Sequence, residues 1–174
     1  MNETAQGLYH SLENQRWSFL DRGRTSSELT LPYVLPPDGH NFATKYYTPY
    51  QGIGARGVLN LSSKLLLALL PPNAPFFRLV IDRYELDKAK AELGPEGAEQ
   101  LRTDLEKALA DVERSVSQEV EVQNFRNGIF QALKNLLISG NSLLYLPDEG
   151  GMRVFRLDRY VVKRDPMGNV THIA

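Results

Sequence analysis

Helical periodicity in the second half of the chain limits its fold more than any other feature. The apolar residues that set the first period recur at steps of four, three, four and four residues: Leu101, Leu105, Ala108, Val112 and Val116. This spacing puts them on one face of a long helix. A second amphipathic pattern covers residues 125–137 and ends near Gly140, a residue type that commonly caps a helix. The sequence therefore predicts two long helices, each with one apolar face.

Two shorter patterns predict helices earlier in the chain. Residues 4–21 carry apolar side chains at loose helical intervals, and residues 58–69 carry a denser apolar face that ends at Pro71. Pro95 marks the start of the longest helix, because a first helical turn tolerates its missing N–H. The segment 76–81 is rich in aromatic and β-branched residues and predicts a buried strand.

Residues 23–51 predict a long irregular loop. Pro32, Pro36, Pro37 and Pro49 break helices and block the hydrogen bonding of a central strand. A loop of this length is uncommon in a compact domain unless it is functional or packs on another surface, such as a neighbouring subunit. The loop is therefore a candidate for contact between copies.

After Asn141 the pattern changes to short strands. The segments "SLLYL" and "MRVFRL" predict one hairpin, and "YVVKR" and "VTHIA" predict another. We predict an α+β protein, with a mainly helical region of long amphipathic helices and long loops at residues 1–141 and short antiparallel β-hairpins at residues 142–174. The last predicted strand reaches Ala174 without a closing turn, so we expect the chain to be the amino-terminal part of a longer protein.

Composition argues against several functions. Lys and Arg total 20 against 21 Asp and Glu, so the net charge of -1 gives no overall positive field for a nucleic acid. The absence of cysteine removes disulfides, thiolate nucleophiles and Cys-ligated zinc. The three histidines are far apart, and no phosphate-binding G-x-x-x-x-G-K-[ST] motif occurs. No apolar run approaches the roughly 20 residues that span a bilayer. We therefore expect no catalytic site, cofactor, metal or membrane partner.

Charge is unevenly distributed along the chain. Residues 85–121 contain eleven acidic and five basic side chains, a balance that repels duplex DNA. Residues 151–165 have the opposite bias, with five basic side chains: Arg153, Arg156, Arg159, Lys163 and Arg164. This basic segment is the best local candidate for contact with DNA phosphates or an acidic partner. The alternative is that both charged segments simply face water.

The segment "QGIGARG" has the G-x-G-x-x-G spacing of a dinucleotide-binding loop. Such a loop follows a buried parallel strand, and Pro49 with its polar neighbours argues against that strand. We interpret Gly52 and Gly54 as residues that allow unusual backbone angles at a loop-to-helix junction, and Gly57 as one that lets the first helical turn pack closely. Arg56 then presents its guanidinium at this junction, either to a neighbouring subunit or to water.

Three longer segments carry a resemblance to a known family. Read in order, "YYTPYQGIGARGVLNLSSKLLLALLPP", "ALKNLLISGNSLLYLP" and "FRLDRYVVKRDPMGNV" resemble the head-to-tail connector, or portal protein, of short-tailed phages (podoviruses). The resemblance runs from about Ser11 to the end of the chain. The family segment often reads A-V-G-A-R-G, so Gly52 is dispensable to the family pattern.

The resemblance implies a structural and conduit protein rather than an enzyme. It implies a homo-oligomeric ring, usually of about twelve copies, at one special vertex of the capsid, with double-stranded DNA passing through its channel during packaging and ejection. The implied partners are the major capsid protein, the terminase motor and the tail adaptor proteins. The implied location is the virion, after assembly in the host cytoplasm, and this chain resembles the wing-forming part that precedes the stem, clip and crown.

Two alternatives come from other features of the sequence. One is a nucleotide-binding enzyme that uses the glycines of residues 52–57, and it rests on the glycine spacing alone. The other is a helical adaptor that binds a single partner through its acidic helices. A portal subunit should self-associate, whereas an adaptor should form a heterodimer and an enzyme should bind nucleotide.

Overall fold

The computed structural model describes residues 4–41, 43–46, 50–72, 74–148 and 150–174. It contains four α-helices, four short strands and a single-turn 3-10 helix, in the following order: α1 Ala5–Leu29, α2 Ile53–Leu69, α3 Arg83–Val122, α4 Phe125–Ser139, β1 Leu143–Tyr145, β2 Arg153–Phe155, the 3-10 turn Leu157–Arg159, β3 Val162–Arg164 and β4 Val170–Ile173. The predicted α+β class, mainly helical with antiparallel strand pairs near residue 174, is confirmed.

The chain folds into two compact units. Unit 1 combines Met1–Leu66 with Asn127–Ala174, and unit 2 is Leu67–Arg126. The predicted division at residue 141 follows the change from helices to strands, whereas the units follow packing. The division at residue 141 therefore stays a prediction as a domain boundary.

Helix α1 is longer than the sequence pattern indicates. It is capped at its start by Thr4, whose hydroxyl accepts a hydrogen bond from the Gly7 amide at 3.3 Å, and it continues to Leu29. The predicted end at residue 21, and the loop start at residue 23, are therefore wrong. Gly23 lies inside this helix, and its missing Cβ allows Leu35 to pack closely, since Leu35 Cδ2 would lie 2.8 Å from a Cβ there. Tertiary packing overrides the weak helix propensity of glycine.

Apolar side chains from distant parts of the sequence form the core of unit 1. One buried cluster comprises Leu20, Leu35, Leu157 and Tyr160, with Leu143, Phe155 and Val162 packed against it. A second comprises Leu31, Val34 and Ile138, with Ala55 and Val58 packed against it. The residues after α1, predicted to be irregular, thus supply core side chains while remaining without regular structure.

Ser27 organises the turn that leads out of α1. Its side chain is fully buried, and its hydroxyl donates to the Leu31 carbonyl at 2.8 Å while accepting from the Leu35 amide at 3.0 Å. Both functions of the hydroxyl are therefore satisfied inside the core, where an unpaired polar group would be costly. This turn brings Leu31, Val34 and Leu35 into the two clusters.

The end of α4 and the two predicted hairpins are confirmed. Gly140 follows α4 at φ 73°, and its amide donates to the Leu136 carbonyl at 2.8 Å, which is the predicted cap. Strands β1 and β2 pair antiparallel, as do β3 and β4. The β3–β4 ladder continues through reciprocal backbone hydrogen bonds between Val161 and Ala174 at 2.8 and 3.0 Å. In the first predicted turn, Glu149 lies outside the described residues.

Unit 2 contains α3 and the segment that precedes it. Asp82 caps the helix by accepting from the Tyr84 amide at 3.1 Å, and Gly94, at φ 75° and ψ 174°, interrupts it directly before Pro95. The predicted start near Pro95 matches this interruption, but the preceding turns, which begin at Arg83, were missed. Gly94 has a positive φ, a backbone conformation that would be strained in a residue with a side chain. The glycine therefore sets the position at which the helix is interrupted.

The predicted strand at residues 76–81 is wrong. These residues have no regular secondary structure and no partner strand among the described residues. The Leu79 amide donates instead to the Glu113 carboxylate of α3 at 2.5 Å, and Val80 is 81% exposed. Aromatic and β-branched residues suit a pleated surface, but they form a strand only where a neighbouring strand can pair.

Candidate functional site

A groove of about 970 Å³ opens on the surface of unit 1. Its walls come from α1, from residues 36–41 with Tyr46, and from the region of the 3-10 turn. Four arginines and three carboxylates line it, together with Trp17, which is 62% exposed. The arginines come from both ends of the sequence, so the groove exists only in the folded unit.

Arg16 joins α1 to the 3-10 turn across one wall of this groove. Its guanidinium donates to the carbonyls of Leu157 at 3.0 Å and Asp158 at 3.3 Å, and also to the carbonyl of Tyr160. Its side chain is 11% exposed and lies 3.5 Å from Glu13. One arginine thus pairs with three carbonyls at the end of a helical turn, where partial negative charge accumulates. Desolvation by burial raises the pKa of the Tyr160 phenol.

Arg24 and Asp38 form a bidentate pair on another wall. Arg24 Nη1 donates to Asp38 Oδ2 at 2.5 Å, and Nη2 donates to Oδ1. Nearby, the rings of His40 and Tyr46 stack with their centroids 4.3 Å apart. These contacts order the segment after α1, which the sequence marked only as a proline-rich loop. A planar guanidinium is well suited to fixing a carboxylate in this way.

The predicted basic segment divides into paired and unpaired cations. Arg156 binds Asp158 through two hydrogen bonds of 3.2 and 2.9 Å, and Arg164 donates to the Gly168 carbonyl at 2.8 Å. Arg159 is 67% exposed and lies 3.7 Å from Asp158. Arg153 and Lys163 are exposed, and their side chains have no hydrogen bond or ion pair within the part of the chain that the structure describes. Arg153, Arg159 and Lys163 are therefore the cations available to a partner.

Asp165 fixes the turn between β3 and β4. Its carboxylate accepts from the Asn169 side chain at 2.9 Å and from the Asn169 amide at 2.8 Å, and Gly168 occupies φ 90°. The hydrogen bonds from Asn169, first from its side chain and then from its backbone, lower the pKa of Asp165. The turn holds Lys163 and Arg164 in their positions on the hairpin.

The glycine segment forms part of a helix-packing contact. Gly52 directly precedes α2, and Gly54 and Gly57 lie in its first turns; none of the three has a positive φ. The predicted unusual angles at Gly52 and Gly54 are therefore wrong. The close approach predicted at Gly57 occurs at Gly54, where an added Cβ would lie 2.8 Å from the Leu29 carbonyl oxygen, whereas Gly57 faces open space. Arg56 is exposed, and its side chain makes no hydrogen bond or ion pair with the described residues.

This geometry does not support the nucleotide-binding alternative. At Gly54 the space that a pyrophosphate would need is filled by the end of α1, and a Cβ added at this glycine would lie 3.1 Å from Thr30 Cγ2. Among the described residues all strand pairs are antiparallel and lie after residue 142. Pro49, which argued against a preceding strand, lies outside the described residues.

Unit 2 has its own arginine contact, which sequence reasoning missed. Arg126 donates to the carbonyls of Leu70 at 2.6 Å and Pro71 at 3.3 Å, and its Nε donates to Glu121 at 2.8 Å. The hydrogen bond from Arg126 lowers the pKa of Glu121. The contact closes the segment after α2 onto the end of α3. No local pattern signals the two carbonyl contacts, because Leu70 and Pro71 lie 56 and 55 residues before Arg126.

Two classes of site have no support within the described ranges. No group of three or more His, Asp or Glu side chains is placed to hold a metal ion there. No helix there combines the length and apolar character needed to cross a membrane. The described side chains at the groove serve to connect segments of unit 1.

Comparison with known proteins gives the family. A family model described as bacteriophage head to tail connecting protein matches residues 2–174. The chain is 39% identical over 171 residues to the portal protein of Escherichia phage T7, covering 95% of this chain and 31% of that protein. It is 38% identical over 174 residues to the portal protein of Enterobacteria phage T3, covering 97% and 31%. The portal protein of Enterobacteria phage SP6 is 31% identical over 166 residues, covering 95% and 31%.

These relatives are much longer than this chain, which spans about a third of their length. The match nevertheless runs through the glycine segment, both hairpins and all four helices, since it includes residues 2–174. The chain belongs to the family of bacteriophage head-to-tail connecting proteins.

Proposed function

We propose that this chain is part of a portal subunit that forms a ring at a single capsid vertex, through which the phage genome is packaged and ejected. The observation that carries the proposal is the family match over residues 2–174, together with relatives that are each named portal protein. The protein acts as a structural conduit and not as an enzyme. Its place is the virion, after assembly in the host cytoplasm.

The proposed partners follow from this role. Copies of the subunit contact one another around the ring, in a number of about twelve, and closure makes each contact heterologous. The major capsid protein surrounds the ring, the terminase motor docks during packaging, and tail adaptor proteins dock afterwards. Double-stranded DNA passes through the channel.

Exposed groups of unit 1 supply candidate contacts for these partners. Arg56 is exposed next to the packed start of α2 and is proposed to contact a neighbouring subunit. Of the basic segment, Arg153, Arg159 and Lys163 are proposed to contact DNA phosphates or an acidic protein surface, because Arg153 and Lys163 have no described side-chain partner and Arg159 is 67% exposed with Asp158 as its ion-pair partner at 3.7 Å. Arg156 and Arg164 are proposed to position this surface, since both are already engaged.

Electron microscopy and mass measurement of the purified protein test the proposal. The expected particle is a closed ring with a central channel and a mass that is a multiple of the subunit mass. A protein that remains strictly monomeric at the highest attainable concentration, with no ring in the images, would contradict it. A one-to-one complex with a single host or phage protein would favour the adaptor alternative.

A further inference from the structure

Helix α3 carries an apolar stripe that is exposed on unit 2. Leu101 is 37% exposed, Leu105 39%, Val112 49% and Val116 40%, although their spacing is that of a core-facing helix. A different face of α3 carries Glu113, which accepts a hydrogen bond from the Leu79 amide, and this face lines a groove together with residues 70–72 and 74–76. The stripe is therefore not the surface that holds unit 2 together. An apolar helix face of this length in contact with water is typical of an interaction surface.

One edge of this stripe is acidic. Asp104 and Asp111 directly precede Leu105 and Val112 and lie seven residues apart, so both follow the same edge of the helix. Asp111 is 72% exposed, and its ion pair with Arg114, at 3.1 Å, is also exposed. Residues 96–121 contain eight acidic and three basic side chains, so the surroundings of the stripe are negative. A partner for this surface needs apolar side chains beside unpaired cations.

The β3–β4 hairpin offers both kinds of group. Lys163 is exposed without a described ion pair, and Arg159, just before the hairpin, is 67% exposed and has only the 3.7 Å ion pair with Asp158. On the same hairpin Val170 is 47% exposed and Ile173 is 53% exposed. Val170 lies directly opposite Arg164, so an apolar and a basic group are neighbours on a strand pair whose turn is fixed by Asp165, whereas Lys163 lies opposite His172 and Ile173 opposite Val162. The basic groups of the hairpin are opposite in charge to the acidic edge of α3, and its apolar groups suit the apolar stripe.

We infer that the α3 stripe of one copy docks against the β3–β4 hairpin of a second copy. The inference rests on the proposed function, because it names the surfaces through which ring neighbours meet. The two surfaces differ, so the contact is heterologous: each copy offers its stripe to one neighbour and its hairpin to the other. Such a contact repeats from copy to copy, as ring closure requires. Its strength falls as salt rises, because the charges at its edge are exposed.

Charge reversal on each side tests the inference in the 174-residue chain. The stripe variant carries Asp104→Lys and Asp111→Lys, and the hairpin variant carries Arg159→Glu and Lys163→Glu. The matched controls reverse exposed charges elsewhere, with Glu96→Lys and Glu99→Lys on the opposite face of α3, and Lys45→Glu in unit 1. Self-association is measured by sedimentation equilibrium at low and high salt, and folding by circular dichroism.

The stripe and hairpin variants should each associate at least about tenfold more weakly than the wild type, while the controls stay within about twofold. An equimolar mixture of the two variants should recover association, because each intact stripe can meet an intact hairpin and each reversed stripe can meet a reversed hairpin. The variant with all four substitutions should recover association, since both signs are then reversed.

Three outcomes overturn the inference in different ways. If the stripe and hairpin variants associate as the wild type does, the copies meet through other surfaces, so the inference fails while the proposed ring stands. If the wild type is monomeric throughout the concentration range, the inference fails together with the assembly on which it rests. Recovery in the mixture but not in the variant with four substitutions also contradicts it, because charge complementarity would then not decide the contact.

Discussion

The guanidinium of Arg16 donates a hydrogen bond from Nη1 to the backbone carbonyl of Leu157 at 3.0 Å, although 141 positions separate the two residues in the chain. The same side chain reaches the carbonyls of Asp158 and Tyr160. It therefore links the first helix of unit 1 to the segment between its two hairpins.

Replacing Arg16 with alanine should destabilise unit 1. The substitution leaves carbonyls at the 3-10 turn without their charged donor, and hydrogen bonds to charged groups contribute roughly 1.5 to 3 kcal/mol. We expect the free energy of unfolding to fall by about 3 kcal/mol, measured by urea denaturation with circular dichroism. Arg56→Ala is the control, because exposed Arg56 should change it by less than about 0.5 kcal/mol. Equal effects of the two substitutions would show that the Arg16 contacts contribute nothing to folding.

Gly54→Ala and Gly57→Ala should have opposite effects on stability. A Cβ at position 54 lies 2.8 Å from the Leu29 carbonyl oxygen and forces α1 and α2 apart, which costs about 1 to 3 kcal/mol. A Cβ at position 57 meets open space, and alanine is the better helix former by about 1 kcal/mol. Thermal unfolding of both variants measures the difference. A neutral Gly54→Ala would mean that the helices do not approach closely at this point.

The carboxyl of Asp165 should titrate with a pKa below its ordinary value of 3.8, because the Asn169 side chain and backbone hydrogen bonds favour its charged form. The stabilisation from this shift is present above the unfolded pKa and is lost as pH falls through the lower folded pKa. Asn169→Ala should move the pKa upward, whereas Met167→Ala, at an 88% exposed side chain, keeps both Asn169 bonds. Carbon-detected NMR of the carboxyl group follows the titration. An unchanged pKa in Asn169→Ala would contradict this account.

The glycine segment should not bind nucleotides. Calorimetric titration of the wild type with dinucleotides and with ATP should give no heat of binding, because the end of α1 fills the space beside Gly54. Gly54→Ala provides the comparison, since a genuine pyrophosphate site would lose its heat in that variant. Saturable heat of nucleotide binding in the wild type that is absent in Gly54→Ala would support the nucleotide-binding enzyme instead.

Local signals predict much of this fold correctly. The α4 pattern with Gly140, the apolar spacing in α3 and the alternation in the hairpins each depend on neighbouring residues, so the sequence displays them directly. The continuation of α1 through Gly23 depends on the position of Leu35, which no local pattern contains. The segment at 76–81 has a strand-like composition, but it has no partner strand among the described residues, and composition cannot reveal that.

The candidate site is less predictable for the same reason. The basic segment is visible in the sequence, but the pairing of Arg156 with Asp158, and the exposure of Lys163, follow from a turn and a ladder. Arg16 and Arg126 bind backbone carbonyls, which every residue carries. No spacing of side chains in the sequence therefore predicts these contacts. Their partners become neighbours only when the chain has folded.

The discontinuity of unit 1 has a consequence for synthesis on the ribosome. Leu67–Arg126 can leave the exit tunnel and fold as one stretch, because all of unit 2 is contiguous. Helix α1 emerges before unit 2, yet the carbonyls that Arg16 binds belong to residues translated more than 140 positions later. The contacts of Arg16 with these carbonyls, and the packing of Leu20 against Leu157 and Tyr160, can therefore form only after translation has passed Tyr160.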